Sequence, residues 1–119
     1  MSEKLGTEKF CYLTTTGRVT GEPRTIEIWF ALHGVSFYML AGDGAEANWV
    51  KNAVKTPKVT IRIRDQSFPA QARLVTDDAE ATLARRILCE KYAAAPWAEN
   101  AHSLSEWAQA ALPVAFDLV

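Results

Sequence analysis

The stretch Thr25-Ile26-Glu27-Ile28-Trp29-Phe30-Ala31-Leu32-His33-Gly34-Val35-Ser36-Phe37-Tyr38-Met39-Leu40-Ala41 decides the fold class. Over residues 25–32 the apolar side chains Ile26, Ile28, Phe30 and Leu32 alternate with Thr25, Glu27, Trp29 and Ala31, the period of a strand with one buried face. His33-Gly34 turns the chain and residues 35–41 supply a return strand, so 25–41 is expected to be a hairpin. Upstream, residues 10–16 are β-branched and aromatic enough for a strand. Downstream, residues 58–64 alternate again, with Val59, Ile61 and Ile63 on one face and Lys58, Thr60, Arg62 and Arg64 on the other. A turn at Asp65-Gln66 leads to a return strand over 67–75, where Pro69 suits an edge or a bulge better than a central position. Residues 114–119 form a last apolar strand able to cover a sheet edge.

Helices fill the gaps. Trp49, Val50, Ala53 and Val54 recur at helical spacing within 45–54, and the run stops before Thr56-Pro57 because proline pushes its predecessor out of the α region. Thr76-Asp77-Asp78 opens a helix to about residue 93, with acidic groups placed well against its dipole. Its apolar stripe is Leu83, Ala84, Ile87, Leu88 and Tyr92, with Arg85, Arg86 and Glu90 facing away. Ser103-Leu104-Ser105-Glu106 has the form of a capping box for a short helix through Trp107 to about residue 111, ended by Pro113. Six or so strands, two or three flanking helices and a Greek-key return predict a small, mainly β (α+β) barrel. The 119 residues suffice for one domain, spanning 1–119. A Rossmann sheet is excluded, since no G-x-G-x-x-G opens a helix.

Hydrophobic residues at 49% and charged residues at 23% match soluble globular proteins, so the chain should fold without disordered tracts. No apolar h-region opens the sequence and no run is long enough for a membrane span, which leads us to expect a cytoplasmic protein. Cys11 and Cys89 sit in apolar surroundings and are expected to be free thiols. His33 and His102 are isolated, so no metal site is expected. The net charge of −1 conceals an asymmetry. Residues 18–64 carry seven basic side chains against four acidic, and residues 65–119 carry four against eight. The positive half is the place to look for an anionic ligand, while charges that simply decorate solvated faces account for the imbalance as well.

Within that half, Thr14-Thr15-Thr16-Gly17-Arg18-Val19-Thr20-Gly21-Glu22-Pro23-Arg24 offers two guanidinium forks, several hydroxyls and glycine-rich backbone able to form an anion nest. Composition alone leaves a plain solvated turn equally open. A single-strand nucleic-acid barrel would need stacking aromatics near Arg62 and Arg64, but Thr60 and Ser67 are no platforms, so no nucleic-acid partner is expected.

Thr-Thr-Gly-Arg-x-Thr-Gly-x-Pro-Arg, followed after a hairpin by Trp49-Val50-Lys51-Asn52-Ala53-Val54-Lys55-Thr56-Pro57-Lys58-Val59, resembles the deazaflavin-dependent nitroreductase family. That family reads Gly-Arg-x-x-Gly-x-Pro-Arg and then Trp-Tyr-x-Asn-Leu-x-x-Asn-Pro-x-Val, and the likeness runs over residues 13–75. It implies a split β-barrel of the FMN-binding, pyridoxamine phosphate oxidase-like type. It also implies the deazaflavin coenzyme F420, its phosphate and oligoglutamate tail in a basic groove and its ring facing a substrate pocket, with FMN as the alternative cofactor. By position, Arg18 and Arg24 would contact the phosphate and tail, and Thr20 and Pro23 shape their loop. Ala41, Gly42, Asp43 and Gly44 would run beside the ring, and Trp49 and Asn52 flank it; Lys58 is added from the strand pattern. The implied reaction is hydride transfer to an electron-poor small molecule such as a quinone, enone or nitroarene. Tyr92 or Trp97 would line the substrate side as catalytic residues, although aromatic core filling accounts for both as well. FMN-dependent reduction and non-catalytic cofactor binding are the alternative functions, and monomer and homodimer both stay open. Two departures matter. Val19 stands where a well-known member has a second basic residue, and Gly42-Asp43 stands where that member has Ser-Lys, so an acidic tail has fewer partners here.

Overall fold

Alternating sequence of this kind must bury one face of each strand, and seven strands do so by curling into a single antiparallel sheet in the order β2-β1-β5-β6-β7-β4-β3. The structure is a computed structural model and describes residues 3–94 and 108–119. A one-turn helix α1 (Glu3–Gly6) precedes β1 (Cys11–Thr16), β2 (Pro23–Ile28), β3 (Ala31–His33) and β4 (Ser36–Ala41). A 3-10 turn (Gly44–Glu46) leads into α2 (Asn48–Lys55), then β5 (Lys58–Ile63), β6 (Gln66–Leu74), α3 (Asp78–Ala94) and β7 (Leu112–Leu118).

The expected hairpin over 25–41 is divided. Residues 23–28 pair with β1, from Pro23 opposite Thr16 to Ile28 opposite Cys11, whereas residues 31–33 pair with β4. The break falls at Trp29-Phe30. Since β2 and β3 are the two ends of the sheet order, one stretch of chain supplies both edges, which bends the sheet round on itself. Even-numbered side chains of this stretch, Ile26, Ile28, Phe30 and Leu32, join the barrel core with Leu13, Phe37, Met39, Ile61, Ile63 and Phe116. Odd-numbered Trp29 and Ala31 face outward into a second cluster, where Ala84, Leu88 and Tyr92 of α3 cover the sheet. Both faces are therefore apolar where the chain bends.

Tyr92 secures that corner. Its hydroxyl accepts the Phe30 N–H at 2.9 Å and reaches the carbonyls of Lys9 at 2.7 Å and Phe30 at 3.1 Å. Its ring stacks on Trp29, with centroids 4.1 Å apart and planes 7° from parallel. Lys91 adds a cation above the Phe30 ring, 3.6 Å from the centroid, and donates to the Phe30 carbonyl at 2.7 Å. Burial there lowers the Lys91 ammonium to a pKa of about 8.

Other boundaries moved for local reasons. The β5–β6 turn is Arg64-Asp65, one residue earlier than expected, with Arg64 at φ 57°. Pro69 lies in β6, opposite Thr60 and between two strands, but pairing with β7 begins only at Ala70, so locally it occupies an edge. Pro113 does not end a helix: it lies inside β7 opposite Leu40, ahead of the residues that pair with β6. The capping box at 103–106 lies outside the described residues; of that expected helix, 108–110 is helical here. Arg85 does not face away, because its Nε and Nη2 donate to the carbonyls of Ala108 and Ala111, at 3.1 and 3.3 Å. Both cysteines are free thiols, and burial pushes Cys11 up to about 12. No metal-binding cluster of His, Cys, Asp and Glu occurs among the described residues, and no described helix is long and apolar enough to cross a membrane.

A polar staple ties α3 to the sheet. Arg73 donates to both carboxylate oxygens of Glu80, at 2.6 and 2.9 Å, and to Asp117 at 2.9 Å, while Tyr38 donates to Glu80 at 2.6 Å. Hydrogen bonds from Arg73 hold both carboxyls below their ordinary pKa values. Groups with depressed folded-state values stabilise the fold above their unfolded pKa and lose that contribution as pH falls through the carboxylate range. Arg73→Leu should therefore be less stable than wild type at pH 7, with the gap in urea midpoint narrowing as pH falls from about 5 to 3. Tyr92→Phe should cost about 1–3 kcal/mol, as expected when a buried Phe30 N–H is left unpaired, seen as a lower urea midpoint at unchanged slope.

Candidate functional site

At the end of β1 the chain must return into antiparallel β2 within six residues, and Gly17 to Glu22 does this by bonding to itself. The Gly17 N–H donates to the Glu22 carbonyl and the Gly21 N–H to the Gly17 carbonyl, both at 2.8 Å. Gly21 needs to be glycine because its φ is +76°. At Gly17 the space is tight, since a Cβ there would sit 3.1 Å from the Glu22 carbonyl and 3.4 Å from Nε of Arg24. The Glu22 N–H goes to Thr20 Oγ1 at 3.3 Å, and the Arg18 N–H goes to Asn52 Oδ1 at 3.2 Å. The backbone nest expected from the glycines is thus largely used up internally, and anion recognition falls to side chains.

Those side chains border a cleft of about 540 Å³ between this loop, β2 and α2. Of the residues expected to bind a cofactor, Arg18, Thr20, Pro23, Arg24, Trp49 and Asn52 all line it. Arg18 and Arg24 provide its charge, and no carboxylate is among the lining residues. Arg24 Nη2 lies 3.5 Å from Thr20 Oγ1, and Lys55 donates to the Arg18 carbonyl at 2.7 Å, which adds a third cation behind the loop. Ile26 and Trp49 form the apolar wall. Trp49 packs inward towards Phe116, with ring centroids 6.2 Å apart, so the wall is fixed to the barrel core.

The remaining expected residues lie elsewhere. Ala41 is in the barrel core opposite Leu112, Gly42 and Asp43 are exposed, and Gly44 begins the 3-10 turn; none of the four lines the cleft. Lys58 lines a neighbouring hollow of about 290 Å³ with Thr14, Thr16, Thr56 and Thr60, which shares Thr15 and Pro23 with the cleft. Tyr92 is not brought to the cleft: its ring is in the core and its hydroxyl is held by backbone atoms of Lys9 and Phe30. Trp97 lies outside the described residues. Sequence reasoning missed Asn48, which lines the cleft one helical turn before Asn52. The signal was present, since residues four apart on a helix share a face.

The cleft at the end of β1 is cationic on its loop side and apolar on its barrel side, a combination suited to a ring-bearing anionic ligand. The family model described as F420H2-dependent quinone reductase matches residues 2–113. The chain belongs to that family, whose coenzyme is the deazaflavin F420, and it is an F420H2-dependent reductase. Solved structures share the fold. A structure described as an F420-H2 dependent reductase is 21% identical, with a TM-score of 0.70, covering 92% of this chain and 94% of that one. A conserved hypothetical protein of Mycobacterium tuberculosis is 18% identical, with a TM-score of 0.74 over 100% of this chain and 80% of the other. The haem storage protein of Vibrio cholerae is 19% identical, with a TM-score of 0.70 over 98% and 84%. A fold shared by proteins with such different descriptions leaves the chemistry to the cleft residues.

Arg18→Ala and Arg24→Ala should each weaken coenzyme F420 by about 1.5–3 kcal/mol, the range for hydrogen bonds to charged groups, measured by fluorescence quenching. Gly17→Ala should also weaken binding, because the Glu22 carbonyl and the Arg24 guanidinium would have to move apart.

Proposed function

We propose that the chain reduces an electron-poor small molecule, of the quinone, enone or nitroarene class, at the mouth of the cleft between the 17–22 loop and α2. The observation that carries this reading is the cleft's polarity: Arg18 and Arg24 on the loop side, Ile26 and Trp49 on the barrel side. The donor set fits the coenzyme, since guanidinium forks match a phosphate and an apolar wall suits the face of a fused ring. Arg18 and Arg24 would hold the phosphate, with Thr20 and Pro23 setting the loop, and Asn52 would secure Arg18. Trp49 and Ile26 would exclude water from one ring face and leave the other to the substrate.

When bound, the coenzyme supplies the hydride. The protein's part is placement and electrostatics. Among the described residues, none that line the cleft is an acid, a histidine, a cysteine or a tyrosine.

Parallel titration with coenzyme F420 and FMN tests the cofactor, followed by turnover of quinone, enone and nitroarene substrates with reduced F420. The expected outcome is F420 binding with turnover of at least one class. Preference for FMN, or tight F420 binding without turnover of any class, would replace this reading with a flavin reductase or a cofactor carrier.

A further inference from the structure

The Arg18 guanidinium is held in an unusual manner for a surface arginine. Its Nη1 donates to Asn52 Oδ1 at 2.9 Å and makes a longer contact of 3.5 Å to the Asn48 carbonyl, and its Nη2 donates to Asn48 Oδ1 at 3.2 Å. A guanidinium carries five N–H donors. Three are directed at α2, which leaves the Nε–H and the second Nη2 hydrogen without a partner among the described residues. Those two hydrogens lie along the edge that receives an oxyanion through two parallel bonds.

Asn52 fixes the backbone of the same residue. Its Oδ1 accepts the Arg18 N–H at 3.2 Å as well as Nη1, and its Nδ2 donates to Thr15 Oγ1 at 3.3 Å. Thr15 and Asn52, 3% and 5% exposed, are the buried polar residues of the described structure, and they bond to each other directly beneath Arg18. Burying an amide is unfavourable unless all its groups are satisfied, so an apolar residue would serve α2 equally well if packing were its sole task. A buried asparagine that is itself fixed by a buried threonine and accepts from one cationic residue is instead what a preorganised anion fork requires.

We propose that Asn48 and Asn52 are positioning residues that present one edge of Arg18 to a single phosphate group, so that the cleft distinguishes a phosphorylated deazaflavin from its phosphate-free riboside. This rests on the reading of the cleft as the coenzyme site. The two asparagines act through their bonds to Arg18 and raise affinity by removing the rotamer freedom that the guanidinium would otherwise lose on binding.

The test is the ratio of dissociation constants for coenzyme F420 and for the phosphate-free deazaflavin riboside, measured by fluorescence quenching on wild type, Asn48→Ala and Asn52→Asp. Asn48 is exposed, so its truncation leaves the fold intact. In Asn52→Asp both acceptor bonds to Arg18 survive, but a carboxylate now competes for the fork. Wild type should prefer the phosphorylated ligand by at least tenfold. Asn48→Ala should reduce that preference three- to tenfold, and Asn52→Asp tenfold or more, the phosphorylated ligand losing more affinity than the riboside in both. An unaltered preference in both variants would overturn the positioning role while leaving the coenzyme site in place, as would an equal loss for both ligands. A wild type that binds the two ligands alike would overturn the coenzyme reading and this inference together.

Discussion

Everything in this barrel depends on one stretch of chain serving both ends of its sheet. Residues 23–28 complete the β1 side and residues 31–33 the β4 side, so the bend at Trp29-Phe30 determines how far the sheet curls. A bend takes backbone groups out of the ladder, and in a core these must find other partners. The Tyr92 hydroxyl and the Lys91 ammonium supply them from α3, with Trp29 stacked against the Tyr92 ring. The helix thus does more than cover an apolar face; it completes the hydrogen bonding of the strand that closes the barrel.

The cleft is a consequence of that closure. Because β2 pairs with β1 and not with β4, its other side is left to the loop and α2, and there Arg24, Thr25 and Ile26 border the opening. A shared fold does not fix function, so under the proposed reading specificity comes from few side chains on the loop and the short helix: two arginines, a tryptophan and a pair of asparagines.

How much of this could be read from sequence depended on whether the information was periodic or local. The alternation of Val59, Ile61 and Ile63 identified β5 to within a residue, and Thr56-Pro57 marked the end of α2, because each depends on neighbours in the chain. The bend at Trp29-Phe30 was hidden, since the alternation runs straight through it and both faces are apolar there. Tyr92 read equally well as a pocket aromatic and as core filling; its place was fixed by backbone atoms 62 and 83 residues away. Arg18, Arg24, Trp49 and Asn52, which line the cleft, belong to an ordered pair of motifs. Asn48 carries no motif, and Ala41 to Gly44 were transferred by position onto a strand end that in this chain turns away from the cleft.

The self-bonded form of the loop has a kinetic implication. With the N–H groups of residues 17, 18, 21 and 22 already satisfied within the protein, the segment reaches its working shape during folding and does not wait for an incoming molecule. Association then requires little reorganisation of backbone, so encounter is limited by diffusion and orientation more than by loop closure. Under the proposed reading, a coenzyme that enters, reacts and leaves in each catalytic cycle meets a loop already shaped, and residence time is set by the arginine contacts.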